Sequence, residues 1–312
     1  MSARQDWFRD QKWGIFTHYL YGCQNNADAW QSMGRGGDWS ECVDEFDTEK
    51  LADQLAEIGA HYLIFTVMQG HQYMCAPNAA FDRITGYRPG EACARRDLIE
   101  DLYASLSKRG ISLLLYYTGD GPYKDEAKAG PAMGFIEPRE EGVTDEFVKN
   151  WTDVLREYAV RYGDKVKGWW VDGCYTYFKY TDANLKPYAD AIRAGNPEAL
   201  IAFNGGVKER VFHYSQWDDY TCGEMNSFAD LPDDRFIGGS QWHTLAPLGV
   251  SADGSEWGGW CRPGCKHTAE HMREYVRAVN AKGGVVSIDV GLMRDGSICP
   301  EQIALLKEAL KA

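Results

Sequence analysis

The sequence predicts one (β/α)8 barrel of the TIM type, and three observations predict it. Apolar runs of strand length alternate with helical stretches from one end to the other, the pattern of βα units that feed a parallel sheet. Eight such units can be counted, and 312 residues, 44% of them hydrophobic, are ordinary for one barrel of this kind. No Gly-x-Gly-x-x-Gly loop follows the first apolar run, so the open doubly wound sheet, the runner-up architecture, lacks its usual phosphate-binding signature. No composition break, short-period repeat or low-complexity segment divides the chain, and residues 1–312 are expected to form a single catalytic domain.

The expected strands, in order, are Trp13–Tyr19, Tyr62–Met68, Ser112–Thr118, Gly168–Asp172, Leu200–Asn204, Asp219–Gly223, Arg235–Ser240 and Val285–Val290. They read as near-continuous apolar runs, as strands covered on both faces do. Several helices carry start and stop signals. The stretch from Asp47 to Gly59 opens on an N-cap residue, repeats its apolar positions at helical spacing and closes on glycine, and Asp97 to Gly110 does the same. Others run from Asp145 to Tyr162, Asn184 to Ala194, Thr268 to Ala281 and from Pro300 onward, with Pro300 suited to a first helical turn. Pro, Gly and Asp collect between Tyr123 and Gly142 and between Asp230 and Gly264, which predicts two long loops over the active face.

A formal net charge of -13, spread along the chain, repels phosphate backbones and anionic lipid heads. Nucleic acid and membrane are therefore excluded as expected partners, and a small neutral substrate is favoured. The start has no apolar leader and no stretch approaches a membrane span. Nine cysteines, Cys174, Cys222 and Cys299 among them, lack the dense spacing of a secreted disulfide scaffold, so reduced thiols and a cytoplasmic location are expected. Cys261, Cys265 and His267 lie close enough in sequence to suggest zinc. No second ligand cluster appears, so a local disulfide or free thiols is the better reading, and neither metal nor cofactor is expected.

In such a barrel reactive side chains sit where strands end. The ends here are polar and aromatic: Thr17-His18-Tyr19, Gln69-Gly70-His71, Tyr116-Tyr117-Thr118, Trp169-Trp170-Val171-Asp172, Asn204-Gly205-Gly206 and Cys222-Gly223-Glu224. Two carboxylates, Asp172 and Glu224, with indole, phenol and imidazole around them, are what glycoside hydrolysis requires. Asp172 reads as an ionised nucleophile, and Glu224 as an acid whose pKa burial or the neighbouring carboxylate raises. Each residue alone has a plainer reading. Asp172-Gly173 is a turn dipeptide, His18 a hydrogen-bonded core histidine, and the paired aromatics are interior filling, of which alternation sends only one per pair inward. Their shared position at one end of the strands favours a site. His18, Trp39, Gln69, His71, Tyr117, Trp170 and Asn204 are the expected sugar-binding residues.

Several strings resemble glycoside hydrolase family 29, the alpha-L-fucosidases. They are Lys12-Trp-Gly-Ile-Phe-Thr-His18, Phe46 to Ala52, Gly59 to Thr66, Asp97-Leu-Ile to Tyr117, Ala281-Lys-Gly-Gly284, Val290-Gly291 and Asp295-Gly296. The resemblance implies a retaining exo-glycosidase that forms a covalent glycosyl-enzyme. Its W-x-D nucleophile falls on Asp172, and its D-[FY]-x-T-x-E acid/base falls on Glu224, with Cys222 replacing threonine. Glu256, in a segment resembling S-W-G-Y, is the alternative acid/base. Two departures imply altered sugar specificity. Gln69-Gly70 stands where the family has His-His, with His71 displaced, and Gly206 stands where it has arginine, with Lys208 or Arg210 to compensate. The family usually continues into a β-sandwich, and a chain ending at Ala312 predicts the barrel alone, its open side covered by a second copy. The competing expectations are a metal-dependent barrel hydrolase, opposed by the lone His18 on the first strand, and a carbohydrate-binding protein that has lost catalysis.

Overall fold

The computed structural model describes residues 2–135, 141–255 and 257–310. Seven parallel strands curl into one sheet: β1 (Trp13–His18), β2 (Tyr62–Thr66), β3 (Ser112–Thr118), β4 (Val166–Asp172), β5 (Leu200–Phe203), β8 (His243–Pro247) and β9 (Val285–Gly291). Their order is β5-β4-β3-β2-β1-β9-β8, and β6 (Phe236–Ile237) with β7 (Ser240–Gln241) forms a separate antiparallel hairpin. The eighth wall, between β5 and β8, is residues 219–225. Asp219 N–H donates to Ile201 on one side, and Thr221 and Met225 donate to Gln241 and Leu245 on the other. The fold is thus a (β/α)8 TIM-like barrel with one irregular stave.

Three sequence expectations change here. The expected strand Asp219–Gly223 makes only isolated bridges, because the edge of β5 is met by side chains: Asp219 accepts from Ile201 N–H at 3.1 Å and Asp218 from Phe203 N–H at 2.9 Å. The expected strand Arg235–Ser240 turns back on itself at Gly238 and Gly239, both at positive φ, the two-residue turn that tight hairpins need. The true edge strand, His243–Pro247, lies inside the stretch expected to be loop. Its polar His243 is buried and paired through Nδ1 to the Thr221 carbonyl and through Nε2 to Ser287 Oγ, at 2.8 Å each.

Alternation along the strands makes two cores. Phe16, Tyr62, Ile64, Leu114, Tyr116, Trp170, Leu200, Ala202, Leu245 and Val285 fill the barrel. Their neighbours Ile15, Leu63, Phe65, Leu115, Tyr117, Trp169, Ile201 and Ile288 pack outward against the helices. Asp47, Asp97, Thr144 and Thr268 cap the helices Thr48–Ile58, Leu98–Ser107, Asp145–Tyr162 and Ala269–Ala281, close to the expected bounds. The helix Ala3–Gln11, started by a Ser2–Gln5 capping box, closes the N-terminal end of the barrel. Its Phe8 is fully buried against the rings of Tyr62, Tyr220 and His243, leaving the other end open for chemistry. Among the described residues no helix is long and apolar enough to cross a membrane.

Candidate active site

The open end of the barrel holds a cavity of about 270 Å³ lined by Phe16, His18, Leu20, Cys23, Gln69, Tyr116, Trp170, Asp172, Glu224, Leu245, Trp260 and Cys261. Inward alternation on β4 places Trp170 and then Asp172 in this cavity. The next residue, Gly173, sits at φ +68 where a Cβ would strike Asp120, so the chain can turn sharply only there as glycine. That turn returns Tyr175 to the carboxylate it has just left. Tyr175 Oη donates to Asp172 Oδ1 and Tyr116 Oη to Oδ2, both at 2.7 Å. Gln69 Nε2 donates in turn to Tyr116 Oη at 2.9 Å, and the Tyr116 ring stacks on Trp170 at 5.5 Å.

Glu224 reaches the same cavity from the irregular stave. Gly223, at φ +59, lies so close to the His243 carbonyl that any side chain would collide with it. This close approach seats Glu224 beside Leu245. Asn204, just past β5, joins the two acids: its Nδ2 donates to Asp172 Oδ1 at 2.7 Å and to Glu224 Oε2 at 2.6 Å. Its own Oδ1 accepts from Gly206 N–H at 2.8 Å, which fixes which way the amide faces.

The two acids differ electrostatically. Asp172 accepts three hydrogen bonds, an arrangement that suits a full negative charge. Burial, then the charge of Asp172, pushes the Glu224 carboxyl up to about 8, against the opposing effect of the Asn204 hydrogen bond. The surface Glu224 retains faces the confined cavity, so little water remains to solvate its ionised form. Burial likewise lowers His18 to about 4. Thr66 Oγ1 spends its proton on the Thr17 carbonyl, so His18 Nδ1 must donate to Thr66 and the neutral ring keeps Nε2 as an acceptor.

Of the sequence-predicted residues, the structure brings together Asp172, Glu224, His18, Gln69, Trp170 and Asn204. It does not bring in three others. Tyr117 points out of the barrel, stacked on Trp151 with its hydroxyl on the Trp151 carbonyl, because Tyr116 takes the inward place on β3. Trp39 is buried behind the loops, its indole N–H on the Met74 carbonyl and its ring against Tyr19, Tyr21 and Tyr73. His71 stands half-buried beside Tyr73, away from the cavity. Glu256 lies outside the described residues. Sequence reasoning missed Tyr116, Tyr175, Leu20, Cys23, Trp260 and Cys261. Strand alternation could have found Tyr116; the others arrive on loops or, for Cys23, on a four-residue helix, and these carry no periodic signal. All nine cysteines are free thiols, and among the described residues no group of three or more His, Cys, Asp or Glu side chains is arranged to hold a metal ion.

A barrel with two carboxyl groups meeting at the carboxyl ends of its strands defines a class, the glycoside hydrolases of TIM-like fold. The alpha-L-fucosidase family model matches residues 1–310, and the chain belongs to that family. It is therefore a glycoside hydrolase of alpha-L-fucosidase type. Among curated proteins none matches significantly. Solved structures agree on the fold. An endo-fucoidan hydrolase of glycoside hydrolase family 107 superposes with TM-score 0.71 at 15% identity, over 99% of this chain and 92% of that one. Alpha-L-fucosidase AlfC from Lactobacillus casei, in complex with alpha-L-fucose product, gives 0.67 at 18% identity over 99% and 97%. A family 29 alpha-L-fucosidase from Bacteroides thetaiotaomicron gives 0.65 at 19% over 100% and 73%.

Proposed function

We propose that the chain is a retaining, exo-acting glycosidase in which Asp172 is the nucleophile and Glu224 the acid/base. The observation that carries this reading is the single Asn204 nitrogen bonded to both acids. Two acceptors on one nitrogen have their oxygens no further apart than two hydrogen bonds. That fits the separation of about 5–5.5 Å of retaining enzymes and falls short of the roughly 6.5–9.5 Å that inversion needs for an intervening water. Asp172 attacks the anomeric carbon as Glu224 gives its proton to the departing oxygen. Glu224, now ionised, takes a proton from water, whose oxygen attacks the anomeric carbon and releases Asp172. Tyr116, Tyr175 and Asn204 hold the attacking carboxylate in one orientation, while Trp170 and Trp260 offer apolar faces to a sugar ring. A cavity of about 270 Å³ is small for a ligand site and suits one terminal sugar residue.

The preferred sugar is fucose or a close stereochemical relative. Gln69 is already engaged with Tyr116, and Gly206 presents no side chain, so two positions that would otherwise grip sugar hydroxyls are altered. A panel of aryl glycosides including alpha-L-fucoside tests the reading, with product configuration followed by NMR and a chelator added in parallel. The expected result is chelator-resistant hydrolysis that first releases the anomer of the substrate's own configuration. First release of the opposite anomer would exclude retention. Cleavage of internal bonds in a fucose polymer, with aryl glycosides untouched, would replace exo action by the endo action named for the family 107 structure.

A further inference from the structure

Two of the nine thiols meet at the rim of the sugar cavity, where the mechanism above gives them nothing to do. Cys23 lies on the short helix Tyr21–Gln24 and is partly exposed; Cys261 is buried. Their side chains share the lining of one rim and lie close enough for each thiol to shift the other's titration, although 238 positions of sequence separate them. Both line the sugar cavity and also an adjoining cavity of about 430 Å³ that runs past Asn26, Trp30 and Arg262. A small solute can therefore reach the pair from either side. Cys261 is firmly held: it has a left-handed φ of 57, its N–H donates to Asp289 at 3.0 Å and its Sγ–H donates to the His18 carbonyl at 3.3 Å.

We propose that Cys23 and Cys261 form a peroxide-reactive dithiol, which closes to a disulfide across the rim of the sugar pocket and slows turnover. The two thiols divide the work by exposure. Cys23, as thiolate, attacks one oxygen of hydrogen peroxide; an S–O bond forms, the O–O bond breaks, and the released hydroxide leaves as water after taking a proton. Cys261 Sγ then attacks the sulfenic sulfur, the S–S bond forms, the S–O bond breaks, and the Cys261 proton leaves with the second water. Two thiols are oxidised and one peroxide becomes two waters. The neighbouring Cys261 thiol, with further help from the Arg262 and Lys124 charges, lowers the pKa of Cys23 against the opposing effect of burial. Cys265, the other partly exposed cysteine, is pushed up to about 11 by burial and then by Glu301, and lies outside both cavities.

Closure draws the sulfurs to about 2.05 Å apart. It also removes the Cys261 bond to the His18 carbonyl and pulls on the segments that carry Leu20 and Trp260, all parts of the sugar cavity. The test is peroxide treatment of the intact protein, with disulfide mapping under non-reducing conditions and kcat/KM on whichever aryl glycoside the enzyme turns over. The expected result is a Cys23–Cys261 linked peptide pair and a fall in kcat/KM of about tenfold to a hundredfold, restored by dithiothreitol. Cys23→Ser and Cys261→Ser, each compared with its own untreated rate, should lose that peroxide response. A link elsewhere, such as Cys265–Cys299, would overturn the proposal, as would an unchanged rate once the bond has formed or a response that survives both substitutions. The linked peptides are read without any substrate, so failure of the glycosidase reading and failure of this one are distinguishable.

Discussion

The end of β4 and the irregular stave at residues 219–224 each deliver one acid to the cavity, by opposite means. β4 is a parallel strand paired on both sides and in regular register from Trp169 to Asp172, so alternation there fixes Trp170 and Asp172 inward, and the tyrosines of its own loop and of β3 converge on the carboxylate. The stave has no regular ladder, and a glycine pressed against a neighbouring carbonyl lets Glu224 sit where, among the described residues, its carboxyl accepts only from Asn204. One acid is given three donors and the other a single one. The contrast shows how one barrel mouth treats two neighbouring carboxyls differently: the strand end surrounds Asp172 with donors, and the irregular element buries Glu224 with few, which raises its pKa.

Removing the stabilised acid should do the most damage. Asp172→Ala should lower kcat by about 10⁴-fold or more while the melting temperature stays near that of the parent, as checked by steady-state kinetics and calorimetry. Glu224→Ala should cost about 10²–10⁴-fold on substrates with poor leaving groups and far less on activated aryl glycosides, which need no proton. Equal losses on both would move the acid role to Glu256. In the parent enzyme, the acid must be protonated to act and its pKa is raised to about 8, so the rate should hold through neutrality and fall as pH rises past that value.

Asn204 ties the two regions together, and Asn204→Ala should cost about tenfold to a hundredfold in kcat/KM. Because its hydrogen bond lowers the Glu224 pKa, its loss should also move the alkaline limb of the pH profile upward; a limb that moved down would contradict the electrostatic account. The smallest effects separate the two faces of β3. Tyr116→Phe should lower kcat by about tenfold through loss of one bond to Asp172. Tyr117→Phe should leave turnover alone and cost about 1 kcal/mol of stability, read from chemical denaturation, through loss of its bond to the Trp151 carbonyl.

What the sequence made legible follows the same division. His18, Gln69, Trp170, Asp172 and Asn204 stand at the ends of regular strands whose apolar runs are visible, so position alone brings them to one cavity. The sequence points to Tyr117 in place of Tyr116 because apolar content marks a strand without marking its inward face, and a one-residue shift exchanges the two. The edge strand His243–Pro247 was illegible because its polar residues are satisfied by partners remote in sequence, such as Ser287. The stave resembles a regular strand in sequence because nothing local announces that Asp218 and Asp219 bond the edge of β5 with their side chains. Tyr175, Trp260 and Cys261 arrive on loops, whose return paths depend on glycine turns and buried acids such as Asp289 and not on periodicity.

The central claim is that Asp172 becomes covalently bonded to the sugar while Glu224 manages the proton. A fluorinated alpha-L-fucosyl substrate that forms this intermediate quickly and hydrolyses it slowly, followed by peptide mass spectrometry, reads it directly. The account predicts one sugar per chain, attached at Asp172 and absent from Asp172→Ala. A label on any other carboxylate, or turnover of that reagent with no covalent species in the parent enzyme, would contradict it.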